Sequence, residues 1–588
     1  MIGAVISRNG TSSFDYLPDG VASKKETFQD KEIVFWWTPS SRVSFASSSN
    51  QEAEEVLVVV VGAGIDLMPT EITNAEIILR CFLKEGLTEV EKIVGESVVL
   101  IYESSKDKLH LISDNDKVHR VYWTHNDRQT VATVRLSDLL RFVSDLKLHA
   151  SAVKEYFYFG YVPSPKTMHD GVHVTEPSVT VTLSGGAEVS KAERNTSITD
   201  KKIHIEDAEK QTLDYVIKAI NKRILPDEPI HALLSAGYDS TLLAIGLRQR
   251  TSKALAHVMG FEDRQDNENE AAAKILNHLG IEHRDIYISV QQMADVFPRW
   301  IRSLGQPWAH PNGLSTKVAY DKITQESDGE VVVNGIGGDG LFSDMGLEYK
   351  SRRQRHLVAN LFGVKVLSQF GSRLFKNSEM GEKLAKLSDL SKLTLEDSLV
   401  YFNFWKGEFG SKIFDEGFDI RQTRPGVILT NSLVSAEERY KNYSSSWAYD
   451  SSANRMFDGA FEVGLVATSP LEDADFRAFV SSLEPSIKYP RGQNRILQKN
   501  IVYKYVPSDL FLNRKWAIET PLATFLSSES GRNLMNKYLG TDTTHFGQIL
   551  EKDEIEKIWS EFSAGSFQHA MRLWSVLVFE AWFQERQV

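Results

Sequence analysis

Over roughly the first 200 residues, apolar positions come in short runs: SVVLIY, KLHLIS, RVYW, TVATV and SVTVTL, with polar turns such as SSKD and THND between them. Short runs rich in Val, Ile and Tyr predict strands, so this part of the chain is expected to be mostly β. One helix is expected to intervene at about 75–84. Residues 185–202, GGAEVSKAERNTSITDKK, are small, polar and charged, which predicts a linker. Past it the period changes. AEKQTLDYVIKAINKR carries Leu213, Val216, Ile217 and Ile220 at helical spacing, and then IHALLS, a helix, ALAHVMGF, NENEAAAKILNHLG, HRDIYIS, further helices and VVVN follow in turn. Strands alternating with helices predict parallel pairing in a doubly wound sheet. From Gly346 onward the pattern is predominantly helical.

Bulk properties narrow the function. A chain of 588 residues is too long for one core, and two or three domains are expected. The formal net charge of −12 argues against a nucleic-acid partner, because backbone binding needs clustered Lys and Arg. The basic stretch 350–392 reads as a solvated helix face or as a wall for an acidic substrate. With Cys81 as the one cysteine, a disulfide within the chain and a Cys-rich metal site are excluded. No apolar run is long enough to span a bilayer: residues 56–68, VLVVVVGAGIDLM, are too few and contain Asp66. The N-terminus lacks a signal peptide's layout, so no membrane association and a cytoplasmic location are expected.

Two glycine-containing loops carry the candidate chemistry. VVVNGIGGDGLF, residues 331–342, satisfies G-x-G-x-x-G after a strand, the form of a dinucleotide-binding turn. Asp339 inside that loop would repel a bare pyrophosphate unless a metal lay between them. LLSAGYDSTLLA, residues 233–244, has the same layout: strand, tight loop, apolar helix start. Small residues let backbone N–H groups approach an anion, the helix N-terminus is its positive end, and Ser235 and Ser240 add hydroxyl donors. No Walker lysine motif occurs anywhere in the chain, and Asp239 makes sense in this loop through Mg²⁺.

SAGYDS resembles the S-G-G-x-D-S pyrophosphate loop of the N-type ATP pyrophosphatases, with Ala236 in place of one Gly. NGIGGDGLF resembles the later loop of the asparagine-synthetase branch, G-x-G-[SG]-D. YFYFGYVPSPKTMHDGV (156–172), SPLEDADF (469–476), the stretch 495–522 and RLWSVLVFEAW are similar to further segments of that branch. The resemblance implies an N-terminal glutaminase-like, Ntn-type β-rich sandwich over residues 1–203. A synthetase-like ligase domain would follow over 204–588, with the ATP-pyrophosphatase core at about 228–345 and a helical substrate region at about 346–588. It implies ATP and Mg²⁺ as cofactors, and a carboxylate adenylated with loss of pyrophosphate before an amine attacks. Ser235, Ala236, Gly237, Tyr238, Asp239, Ser240, Gly335, Gly337 and Gly338 would bind ATP and pyrophosphate. Met259 and Gly260 would contact adenine through the backbone. Asp239 and Asp339 would hold the metal, and Arg495 and Lys499 would be catalytic. Glu268 and Glu270 lie where the family places an acidic helix start, although first-turn acids also favour the helix dipole. His283 and His310 lie near expected strand ends and read as structural.

Departures from the family pattern set the substrate. Position 2 is Ile where glutamine-dependent members carry the nucleophilic Cys, and Lys117, His119 and Arg120 replace the family's Gly, Arg and Pro. Glutamine hydrolysis is therefore expected to be absent. Ile336 stands where asparagine synthetases carry Glu and β-lactam synthetases Tyr, and Ile handles no proton. Arg495 replaces the usual Lys, which keeps the charge and changes the geometry. The loop's G-x-G-G-D form resembles the lasso-peptide cyclases, which implies macrolactam closure in a precursor peptide, with a leader-peptide-binding or protease partner. An ammonia-dependent asparagine synthetase, a β-lactam synthetase-like ligase acting on a small carboxylate, and a non-catalytic scaffold are the alternatives.

Overall fold

A computed structural model describes residues 2–8, 22–28, 31–37, 42–49, 55–62, 73–116, 118–143, 146–184, 187–193, 202–225, 228–251, 253–326, 329–374, 379–400, 405, 419–490, 493–512, 519–540 and 545–586. The N-terminal part holds β1 (Ile2–Arg8), β2 (Ala22–Phe28), β3 (Lys31–Trp37), β4 (Val43–Ser49), β5 (Glu55–Gly62), β6 (Ser97–Glu103), β7 (Lys108–Ile112), β8 (Tyr122–His125), β9 (Gln129–Thr133), β10 (His173–Val174), β11 (Val179–Ser184) and β12 (Ala187–Glu193). They form two six-stranded antiparallel sheets, ordered β10-β8-β9-β1-β3-β2 and β12-β11-β7-β6-β5-β4. Ala4, Ile6 and Phe35 from one sheet meet Leu57, Val59 and Leu100 from the other in a shared core.

The runs in β5 and β6 are continuously apolar because both faces are covered. Leu57, Val59 and Val61 face the partner sheet, whereas Val56, Val58 and Val60 pack with Ile78, Leu79 and Val90. Those residues come from the helices Asn74–Glu85 and Leu87–Ile93. The first is the helix expected at 75–84; the second, and Ala150–Phe159, were not expected.

The linker expected at 185–202 is corrected over residues 187–193, which form β12 and pair with β11; residues 185–186 and 194–201 lie outside the described residues. β12 ends its sheet, with β11 its one neighbour among the described strands, and its sequence AEVSKAE carries the charged residues by which edge strands avoid further pairing, so it leaves no hydrophobic signature.

The second part is built on β13 (Ile230–Leu234), β14 (Ala254–Phe261), β15 (Glu282–Ile288), β16 (Val331–Asn334) and β17 (Val466–Thr468), all parallel in the order β15-β14-β13-β16-β17. Ile230, Ala232, Leu234, Val331 and Val333 face one core with Leu242, Ile245, Ile501 and Val502, while Val332, Ile286 and Ile288 face the other with Trp300, Trp574 and Phe579. The parallel sheet is thus covered by helices on both sides, as the alternating pattern predicts. The helix Ala150–Phe159 precedes the expected domain boundary, yet Tyr156 and Phe157 pack into this second core, and the Tyr156 hydroxyl donates to the Ser575 carbonyl at 2.8 Å.

Candidate active site

β13 and β16 are adjacent, with Leu233 beside Asn334, so both glycine-containing loops leave the carboxyl edge of the sheet side by side. That edge is where open parallel sheets bind ligands. After β13 the chain turns through Ser235, Ala236 and Gly237 into the helix Tyr238–Arg250, with Gly237 as N-cap and Asp239 in the first turn. The Ser235 and Ser240 hydroxyls lie 3.0 Å apart, and the Gly237 N–H donates to Ser235 Oγ at 3.3 Å. The Ala236 methyl, which replaces a family glycine, is buried in the core. After β16 the chain passes Gly335, Ile336 and Gly337 into the short helix Gly338–Phe342, whose first turn holds Asp339. Gly337 has φ +105°, a conformation that favours glycine.

The loops touch. A β-carbon on Gly338 would lie 2.1 Å from Asp239 Oδ1, so with Asp239 in this rotamer the second loop approaches this closely only with glycine there. One at Gly335 would sit 3.5 Å from the Ser240 backbone N, an ordinary contact.

Across both loops lies one face of the helix Ile496–Tyr503. Residues 495, 498, 499 and 503 share that face by helical spacing. Arg495 precedes the helix in a left-handed conformation, φ +64°, and its N–H donates to the Phe342 carbonyl at 3.1 Å. Its guanidinium reaches Asp239 Oδ2 at 3.2 Å and also pairs with Asp339. The fully buried Gln498 donates to Asp239 Oδ1 at 2.6 Å. Lys499 Nζ stands 5.5 Å from the centre of the Tyr238 ring, which stacks on Phe511, and the Tyr238 and Tyr503 hydroxyls are 2.8 Å apart. Burial, and then the Tyr503 hydroxyl, push the Tyr238 phenol above its ordinary range.

Asp239 and Asp339 are therefore brought together, and the two residues expected to be catalytic stand over them. Their contacts differ from the expectation: Arg495 binds the two carboxylates, and Lys499 lies against a loop aromatic. A guanidinium spanning both aspartates is a cation where the resemblance puts Mg²⁺. Mg²⁺ commonly takes one or two carboxylates and completes its octahedron with phosphate oxygens and water, so this donor set fits. Among the described residues no group of three or more His, Cys, Asp or Glu could hold a metal without such outside ligands.

Other expected residues fall into place less directly. Met259 is buried in the core, which leaves only its backbone for a ligand. Gly260 is tightly packed, since a β-carbon there would lie 2.4 Å from Asn269 Oδ1. Glu270 pairs with Lys274 at 2.7 Å in the first turn of Asn269–Leu279, as a dipole-favouring acid does, and Glu268 is that helix's N-cap. His283 lies near a strand end, as expected, and that end is the amino end of β15, at the edge opposite the loops. His310 Nδ1 accepts the Asn312 N–H at 3.3 Å. Lys117 and residues 513–518 of the stretch 495–522 lie outside the described residues. Within the basic stretch 350–392, Lys350 pairs with Glu437 and Arg352 with Glu348, while Phe362, Leu367 and Phe370 are exposed. A cavity of about 330 Å³ is lined by Trp123, Lys166, His173 and other residues of the N-terminal part, and by none from the two glycine-containing loops.

Gln498 escaped the sequence reading, although its spacing from Arg495 and Lys499 puts it on the same helix face. Ser469 and Glu472 escaped it too. The Ser469 hydroxyl donates to the Ile336 carbonyl at 2.7 Å, and Glu472 packs on Gly337.

The asparagine synthase family model matches residues 211–584, and a glutamine amidotransferase domain model matches residues 70–193. Asparagine synthetase 1 (glutamine-hydrolysing) of Bacillus subtilis is 19% identical over 529 residues, covering 87% of this chain and 80% of that protein. The glutamine-hydrolysing asparagine synthetase of Bos taurus is 34% identical over 132 residues, 21% of this chain and 23% of that protein. Among solved structures, the NMN synthetase of Francisella tularensis is 16% identical with a TM-score of 0.18, over 25% of this chain and 59% of that one. An allosteric regulatory enzyme of purine biosynthesis is 8% identical with a TM-score of 0.23, over 49% of this chain and 74% of that one. With the synthase model matched over most of its length, the chain belongs to the asparagine synthase family.

Proposed function

We propose that this ATP-dependent ligase, which forms C–N bonds, activates a carboxylate as its acyl-AMP without using glutamine and closes a macrolactam in a precursor peptide. The observation that carries the ligase chemistry is the pair Asp239 and Asp339, set side by side at the carboxyl ends of adjacent parallel strands under Arg495 and Gln498. A scaffold that had lost turnover has no use for such a pair. The substrate carboxylate attacks the α-phosphorus of ATP, pyrophosphate leaves, and the amine then displaces AMP from the acyl carbon with loss of a proton. Ser235, Ser240 and the N-terminus of Tyr238–Arg250 hold the pyrophosphate. Bound Mg²⁺ would be held by Asp239 and Asp339 and would neutralise charge on the leaving pyrophosphate. Arg495, which spans both carboxylates in this structure, would yield them to Mg²⁺ and supply a second positive charge beside it, and Gln498 fixes the orientation of Asp239.

The peptide assignment rests on Ile336 and Ile2. Ile336 packs partly buried against the core and supplies no proton acceptor. A tethered N-terminal amine would then supply selectivity over water by proximity, which reaches about 7–11 kcal/mol in ideal cases. A small-carboxylate reading of the asparagine-synthetase type is equally supported, since the relatives are named asparagine synthetases; its ammonia-dependent form and a β-lactam synthetase-like closure are the alternatives. One experiment separates them. Purified protein receives MgATP with either peptides bearing an acidic side chain and a free N-terminus, or aspartate and ammonium. The macrolactam reading expects AMP and pyrophosphate only with peptide, and a product lighter by one water. Efficient asparagine formation with no response to any peptide overturns it.

A further inference from the structure

We infer that the N-terminal sandwich braces the second phosphate loop through a buried ion cluster in which Glu96 and Asp116 are positioning residues for ligation. The inference rests on the ligase reading only in giving that loop's Asp339 its role.

The hub is Arg223, which follows the helix Ile205–Asn221 and is fully buried. Its Nε donates to Glu96 Oε2 at 2.6 Å, its Nη2 pairs with Asp116, and its Nη1 donates to Asp473 Oδ2 at 3.0 Å. Two of these carboxylates come from the sandwich and the third from SPLEDADF. Asp473 also caps the helix Ala474–Ser482 by accepting the Asp475 and Phe476 N–H groups, and Asp116 Oδ1 accepts the Ala474 N–H at 2.8 Å. The sandwich therefore grips the start of that helix twice, once directly and once through Arg223.

The gripped segment leads to the loop. Ser469 donates its N–H to Glu96 Oε2 at 3.4 Å and its hydroxyl to the Ile336 carbonyl at 2.7 Å. Glu472 packs so closely on Gly337 that a β-carbon there would lie 2.8 Å from its Oε1. Arg477 holds Glu472 through its carbonyl at 2.8 Å and its carboxylate at 3.5 Å, and donates to the Asn115 carbonyl in the sandwich. Residues 469–473 thus have sandwich groups on one side and Ile336–Gly337 on the other. Those two residues lead directly into the turn that carries Asp339.

Burying charges is costly compared with an apolar seam, and what ionic contacts add is direction. This seam is ionic where it meets the segment behind the loop, and Arg223 satisfies both sides at once. That gives a sandwich with Ile at position 2 a duty independent of glutamine.

Peptide-resolved hydrogen exchange on the full chain tests the brace without needing turnover. Glu96→Gln and Asp116→Asn are each expected to speed exchange across 336–342 by about tenfold or more, with 235–242 unchanged, because local opening follows the lost support. With a substrate in hand, kcat for AMP formation should fall by about tenfold while KM for ATP stays within about threefold, since misplacement of a reacting group acts on the chemical step. A merely structural role would lower melting temperature without that split. If either variant fails to fold, Ser469→Ala removes the hydroxyl's bonds to the Ile336 carbonyl at 2.7 Å and the Asn334 carbonyl at 3.5 Å and should speed exchange over the same peptide. Unchanged exchange over 336–342 in every folded variant overturns the inference. A wild-type protein that forms no AMP with any substrate overturns the ligase reading instead, and leaves the exchange result to decide the brace.

Discussion

The two parts of the chain treat their inherited sites in opposite ways. In the sandwich, β1 starts at Ile2 and lies between β3 and β9, with Ile2 opposite Trp37 and Gly3 opposite Thr133. On the proposed reading, the backbone that would present a nucleophile is kept and Ile2 supplies none. In the parallel-sheet part both are kept: two loops, two carboxylates, and a helix face that covers them. The contrast teaches that a domain outlasts its chemistry where its buried polar groups serve a neighbour. Glu96 and Asp116 are buried, and both point their charge at Arg223.

The sharpest way to break this comparison is at the phosphate loops. Asp239→Asn and Asp339→Asn should each lower pyrophosphate release by about 10³-fold, because charge stabilisation at a metal–phosphate site contributes several kcal/mol. Circular dichroism should show the fold unchanged; near-normal turnover in Asp339→Asn would revive the dinucleotide reading of that loop. Next comes the seam. Arg223→Met takes the guanidinium from three buried carboxylates, of which Asp473 keeps Lys222 at 3.4 Å, and should cost about 3–5 kcal/mol, read as a lower urea midpoint. A loss under about 1 kcal/mol would mean that the cluster reorganises or takes up protons cheaply.

Acid should affect the sandwich and its junction through buried histidines. Burial pushes His119 down to about 3 and His169 down to about 4. Both are neutral in the folded protein at a pH where unfolded histidine, with a pKa near 6.5, binds a proton. The histidines' contribution to stability is then fully present above about pH 6.5 and is lost as pH drops towards about 4, on the order of 1–2 kcal/mol for each by pH 5, while Glu96 and Asp116, raised by burial, act in the opposite sense. His169→Asn should flatten part of that slope in urea titrations at pH 7.5 and pH 5. The smallest effect is a null one: glutamine, with or without ATP, should yield no glutamate in a coupled assay. Detectable glutamate would give the sandwich a chemistry of its own and erase the contrast.

Much of this was legible along the chain, for a local reason. Each phosphate loop is a strand, a turn of small residues and a helix start within about a dozen positions, so its pattern is complete without the rest of the fold. The inner strands β13, β14 and β16 were legible because burial on both faces makes them largely apolar, and β15, exposed at the sheet edge, showed only its apolar end at Ile286–Ile288; β17, three residues long within a mostly helical region, was missed. What escaped depends on distant partners. β12 reads as a linker because its edge-strand sequence, AEVSKAE, is mostly charged and small. Tyr156 and Phe157 read as part of a connection, since their partners Ser575 and Phe579 lie about 420 residues away. Gln498 shows the mixed case. Its helix face is visible in its spacing, whereas the carboxylate it holds is 259 positions earlier.

Gly338 links the two loops in another sense. Its α-carbon stands so near Asp239 that the β-carbon of any other residue would overlap the carboxylate. The family motif admits serine at this position, so a lineage moving from one form to the other meets an ordering constraint. Asp239 must first take another rotamer, which releases Gln498 and Arg495, before position 338 can gain a side chain. Substitutions at 239's neighbours and at 338 should therefore covary across relatives, although a hundred residues separate them. Grafting either loop alone into a homologue should fail where grafting both together succeeds.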